Sequence, residues 1–173
     1  MTEPVTVDVS SSLRPAADKA REALLADDVP AKLLGHDATL WGSDAEKEAA
    51  IRLGWLDAVD VSGRLLPELL ALRDALRAEG VDQVVLCGMG GSSLAPEVIC
   101  RTAGVPLTVL DSTHPDQVRA ALAGDLARTV VVASSKSGGT LETDSQRRVF
   151  VEAFTDAGID AASRLVVVTD PGS

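Results

Sequence analysis

Thr129–Thr143, TVVVASSKSGGTLET, sets the architecture of this chain. Its first part, Thr129–Ala133, is a β-branched run with no polar alternation, the mark of a strand covered on both faces. A polar loop follows, made of Ser134, Ser135, Lys136, Ser137, Gly138, Gly139 and Thr140. From Leu141 the spacing predicts a helix to Asp156, with Glu142 and Asp144 in the first turn, where the helix dipole favours acids. A loop at a helix start presents unpaired backbone N–H groups, here beside hydroxyls and one ammonium. That combination suits an anion, and a phosphate monoester best of all.

The same strand–loop–helix unit occurs upstream. Gln83–Cys87 predicts a strand, Gly88-Met89-Gly90-Gly91-Ser92-Ser93 a loop, and about Ser93–Thr102 a helix. Further strands are expected at Leu107–Leu110 and Arg164–Thr169, with a helix at Pro115–Leu122 between the second and third strands. Repeated β–α units with parallel crossovers give an α/β fold, a doubly wound parallel sheet with helices on both faces. In the flavodoxin-like order 2-1-3-4, ligands bind where strand order reverses, between the first and third strands. Both loops then flank one crevice. Ser92, Ser135, Ser137 and Thr140 are the candidate phosphate ligands, and Gly88, Gly90 and Gly91 allow close backbone approach. Lys136 stands in the same loop, and Glu142 either orders that loop, meets a substrate hydroxyl, or is an ordinary first-turn acid.

Before residue 81 the patterns are helical, from Leu13 to about Ala26, from a capping box at Ser43-Asp44-Ala45-Glu46 to about Leu56, and from about Leu65 to Glu79. We therefore expect an N-terminal helical region over 1–80 and an α/β domain over 81–173. The chain stops at Asp170-Pro171-Gly172-Ser173, a turn after the fourth strand that leaves a sheet edge uncovered, so a piece of a longer protein is expected.

Net charge is −10, from 16 basic and 26 acidic residues. That sign disfavours nucleic acid and anionic membrane surfaces as partners. An anionic ligand must be held by local groups against the global field. Cys87 and Cys100 form neither a CxxC motif nor a disulfide framework. With no apolar run of spanning length and an acidic start, MTEPVTVD, a cytoplasmic location is expected. The P-loop pattern is absent. A dinucleotide-binding domain is the main competitor: Gly88-Met89-Gly90-Gly91-Ser92-Ser93 opens like G-x-G-x-x, and Asp111 stands where a ribose-binding acid sits, but Ser93 replaces the last Gly or Ala. His36 lies in no motif and reads as a surface or packing residue; His114, before Pro115, reads as a helix-start residue.

Gly88-Met89-Gly90-Gly91-Ser92-Ser93-Leu94-Ala95-Pro96 resembles the G-[IM]-G-G-S-x-L-[GA]-P signature of the phosphoglucose isomerase (glucose-6-phosphate isomerase) family. Ser135-Lys136-Ser137-Gly138-Gly139-Thr140-Leu141-Glu142-Thr143 resembles that family's S-K-T-F-T-T-x-E-T phosphate loop, with Ser137, Gly138 and Gly139 in place of Thr, Phe and Thr. Trp41–Asp57 is similar to the region preceding the first sugar-isomerase (SIS) domain in a bacterial branch. The resemblance implies an SIS-type domain in which Ser92, Ser135, Ser137 and Thr140 bind the sugar phosphate, and Gly90, Gly91, Lys136, Gly138, Gly139 and Glu142 line its pocket. It implies interconversion of glucose 6-phosphate and fructose 6-phosphate, a step of glycolysis and gluconeogenesis, with no cofactor and no metal. It also implies that no catalytic residue lies within this chain, since the family's proton-moving residues come from later segments, and that the full-length protein is a homodimer. SIS domains also serve as sugar-phosphate sensors, which is the alternative from a different class.

Overall fold

The structure is a computed structural model that describes residues 6–171 and Ser173. The first five residues, part of the polar start, and Gly172 of the terminal turn lie outside the described residues. The chain divides into two compact units, one up to Leu65 and one from Leu66 to Ser173.

In the first unit, α1 (Arg14–Ala26) and α2 (Val29–Leu34) carry proline at their starts, where a missing N–H costs nothing. Helix α3 spans Glu46–Arg52 and passes into a 3-10 turn over Leu53–Asp57. The expected capping box at Ser43 does not form. Ser43 lies in a turn closed by the Ala45 N–H donating to the Gly42 carbonyl, so the helix opens three residues later, at Glu46, without a side-chain cap. His36 faces Asp57, its Nε2 3.4 Å from Oδ1, as befits a surface residue. Helix α4 (Ala58–Ala78) starts well before the predicted Leu65 and contains Pro67. That proline cannot donate to the Gly63 carbonyl four residues back. Gly63 and Pro67 together resemble a break, yet the helix runs through both.

The second unit holds the sheet: β1 (Gln83–Gly88), β2 (Thr108–Leu110), β3 (Thr129–Ser134) and β4 (Leu165–Val168). All pairings are parallel and the order is β2-β1-β3-β4. Between strands lie α5 (Gly91–Ala103), α6 (Pro115–Leu122) and α7 (Leu141–Asp156). On one face, Val85, Cys87, Leu110 and Val131 pack against Ala121 of α6 and Phe150 and Phe154 of α7. The two phenylalanines are fully buried, their ring centroids 6.2 Å apart. Val84, Val130, Val132 and Val166 take the other face, beneath Leu69, Leu72 and Leu76 of α4, and leave an apolar groove of about 460 Å³. Strands valine-rich on both faces are what a sheet sandwiched by helices requires. At the strand starts Arg128 pairs with Asp82, and Arg164 donates to Glu79 at 2.7 Å, bonds remote from the loops.

Candidate functional site

The two loops leave the sheet side by side. β1 pairs with β3 from Gln83↔Thr129 to Gly88↔Ser134, so both strands end at the same level. Gly88–Ser93 and Ser135–Thr140 therefore start from neighbouring positions at the carboxyl edge. With β2 on one side of β1 and β3 on the other, strand order reverses here. A dinucleotide-binding half-fold would place its third strand beyond the second, in the order 3-2-1. The position of β3 beside β1 removes that competitor.

Each loop runs into a helix whose first N–H groups lack a side-chain cap. Gly90 precedes α5 with φ +56, a conformation that favours glycine and leaves no side chain to cap the helix. Ser93 is buried and its hydroxyl donates back to the Gly90 carbonyl at 3.1 Å. Thr140 precedes α7 in extended conformation and makes no capping bond. Its hydroxyl pairs with the buried Ser135 hydroxyl, 2.9 Å away. A threonine in that position ordinarily accepts from the second or third helical N–H. Here it instead closes the loop on itself, and the opening N–H groups of α7 receive no side-chain cap.

The rest of the second loop is thin and open. Lys136, Ser137, Gly138 and Gly139 are exposed. The Gly138 N–H donates to the Ser135 carbonyl at 3.2 Å, and the Gly139 N–H to the Ser137 hydroxyl at 3.3 Å. Ser92 is half-buried in the first turn of α5, its Cβ against Gly88, and Gly91 opens that helix. Glu142, half-buried, occupies the first turn of α7. Asp144, one residue further than Thr143, is not aimed at an anion. Hydrogen bonds from Arg147 and then Arg148 hold its carboxyl below the usual aspartate range, though burial opposes them.

Beneath the loops the chemistry is inert. Cys87 is fully buried, and burial alone pushes its thiol up to about 12. His114 caps α6, its Nδ1 accepting from the Asp116 N–H at 3.3 Å, in the helix-start role expected of it. Gln146 of α7 donates from Nε2 to the Ser112 carbonyl at 3.1 Å, tying α7 to the loop after β2.

Three features carried no sequence signal. Thr143 is buried, and its hydroxyl has no partner among the described residues. A cavity of about 300 Å³ opens on the β4 side of the second loop, between Ser135, Gly138, Thr143, Arg147 and Thr169. The turn after β4 also reaches the loop: the Asp170 N–H donates to the Lys136 carbonyl at 3.1 Å. Contacts made across 33 residues leave no trace in local pattern. Among the described residues no group of His, Cys, Asp and Glu is arranged to hold a metal ion. No helix is long and apolar enough to cross a membrane.

No family model matches the chain. Over 169 residues it is 30% identical to a protein of Haloarcula marismortui named probable glucose-6-phosphate isomerase, covering 94% of this chain and 37% of that protein. It is 38% identical over 98 residues to glucose-6-phosphate isomerase of Citrifermentans bemidjiense, covering 52% of this chain and 18% of the relative. Among solved structures, a hypothetical protein of Thermus thermophilus matches with a TM-score of 0.62 and 29% identity, over 94% of this chain and 37% of that one. A glucose-6-phosphate isomerase of Chlamydia trachomatis matches with a TM-score of 0.55 and 27% identity, over 82% of this chain and 27% of that one. The chain thus spans well under half the length of these proteins. By sequence and by fold, it is a relative of the glucose-6-phosphate isomerases, matched over a part of their length.

Proposed function

We propose that this chain supplies the phosphate grip of a glucose-6-phosphate isomerase. The observation that carries the proposal is the pair of helix starts without a side-chain cap, α5 and α7, rising from adjacent strands at one level, with the Ser92 and Ser93 N–H groups of α5 turned back onto the Met89 and Gly90 carbonyls. Two electropositive helix ends, with hydroxyls between them, suit a dianion in a chain of net charge −10. Ser92, Ser135, Ser137 and Thr140 donate to the phosphate oxygens, the bond between Ser135 and Thr140 being exchanged for bonds to the ligand. Gly90, Gly91, Gly138 and Gly139 let the backbone approach, and Lys136 and Glu142 border the pocket. Hydrogen bonds to a charged group contribute roughly 1.5–3 kcal/mol each, so three or four of them hold the phosphate without an arginine clamp.

The substrates are glucose 6-phosphate and fructose 6-phosphate, interconverted by ring opening and proton transfer between C1 and C2 through an enediol. These residues contribute orientation: the phosphate is anchored and the sugar carbons are presented to a base. Proton transfer itself requires a base at C2 and a cation near the enediolate, roles the family assigns to other segments. We place the protein in the cytoplasm, in glycolysis and gluconeogenesis, as an SIS-type domain of a homodimeric enzyme.

Thermal unfolding of the 173-residue chain with glucose 6-phosphate, fructose 6-phosphate or NAD tests the grip. The two sugar phosphates raise the midpoint and NAD does not; Thr140→Ala abolishes the rise. An unchanged rise in Thr140→Ala would overturn the loop assignment, and rapid interconversion of the two sugars by this chain would overturn the division of labour.

A further inference from the structure

We infer that the turn after β4 aims a backbone donor of the phosphate loop, and that Thr169 is its positioning residue. The inference rests on the phosphate-grip proposal and adds the part that sets the loop's geometry. The β3–β4 ladder continues one step past the strands, where the Ser135 N–H donates to the Val168 carbonyl at 3.0 Å. Beyond it the turn takes hold of the next peptide. The Asp170 N–H donates to the Lys136 carbonyl at 3.1 Å, and the Thr169 hydroxyl lies alongside, 3.5 Å from the same oxygen and beyond a normal O–H···O bond. The Thr169 hydroxyl donates to the Ser173 hydroxyl, which donates in turn to the Asp170 carbonyl at 2.7 Å, so Thr169 closes the turn that presents the Asp170 N–H.

A trans peptide is planar, with its C=O and its N–H on opposite sides. No cis peptide occurs among the described residues. Holding the Lys136 carbonyl against the turn therefore directs the N–H of Ser137 away from it. That N–H has no partner among the described residues. It stands in the centre of the hydroxyl-rich loop, and the turn decides where it points. Gly138 makes the close fit feasible. It sits at φ +66, and a Cβ there would lie 3.2 Å from both Cβ and Oγ of Ser173.

The test uses the 173-residue chain as wild type, Thr169→Val and Thr169→Ser. Affinities for inorganic phosphate and glucose 6-phosphate are measured by calorimetry, and amide hydrogen exchange is followed at Ser137–Gly139 without ligand. Thr169→Val keeps the shape of an exposed side chain, so the fold is retained. It should weaken both ligands about fivefold, the equivalent of one ordinary hydrogen bond, and speed exchange at Ser137–Gly139. Thr169→Ser should restore both. A wild type that binds sugar phosphate, with Thr169→Val binding equally well, would overturn the role of the turn and spare the grip. A wild type that binds neither ligand would overturn both. Failure of Thr169→Ser to restore affinity would reduce Thr169 to a packing residue and overturn the positioning role.

Discussion

The hydroxyls of the second loop help to build it. Ser135 and Thr140 bond to each other, and Ser137 receives the Gly139 N–H. The loop itself was legible in the sequence, because glycine and small polar residues between a β-branched run and a helical period mark a strand-to-helix turn. Their partners were not: that Thr140 forgoes its cap for Ser135 is decided in three dimensions. Asp144 gives this scale its pH dependence. Its carboxyl is held below the ordinary value of 3.8, chiefly by Arg147. A depressed folded value means that the stabilisation is present above 3.8 and is lost as pH falls through the folded value. Asp144→Asn should therefore unfold at lower urea concentration than the parent at neutral pH, and the gap should close on acidification below 3.8. A gap that is constant with pH would show that Asp144 acts through shape and not charge.

Elements with both a period and a boundary signal were legible. Helices α6 and α7 occupy their predicted spans, and β1 and β3 extend one residue beyond theirs. Prolines at helix starts and β-branched runs carry the information in those cases. Legibility failed where a local rule was outweighed. Helix α4 continues through Gly63 and Pro67, and α2 is too short for its period to show. The two phenylalanines of the core cluster make α7 the element on which that face of the sheet depends. Phe150 and Phe154, one turn apart, fill the space over Val85, Cys87 and Val131. Phe150→Ala should cost about 3–5 kcal/mol, read from the urea midpoint. Because α7 also carries the loop's helix start, the same variant should lose the thermal response to glucose 6-phosphate before it loses the far-ultraviolet helix signal. A loss below about 1 kcal/mol would contradict the packing described.

At the scale of the whole molecule, the strand order was legible from topology rules, since short β–α repeats with right-handed crossovers admit few sheets. The apolar groove beside α4 was not, because a leucine-rich helix reads the same whether its face is filled or hollow. The pairing of β1 with β3 has a kinetic consequence. Gln83 meets Thr129 across a separation of 46 residues, and β2 and α6 are enclosed in that span. Closing so long a segment is slow, since its entropy is lost before the contacts repay it. Neither loop has its neighbour until the closure is complete, so the ligand meets a finished site or none. Glucose 6-phosphate should then leave the refolding limb of a stopped-flow chevron unchanged and slow the unfolding limb in proportion to its occupancy. Acceleration of refolding would mean that the two loops meet before the barrier. A ligand of such a site acts as a latch on a door that has already closed.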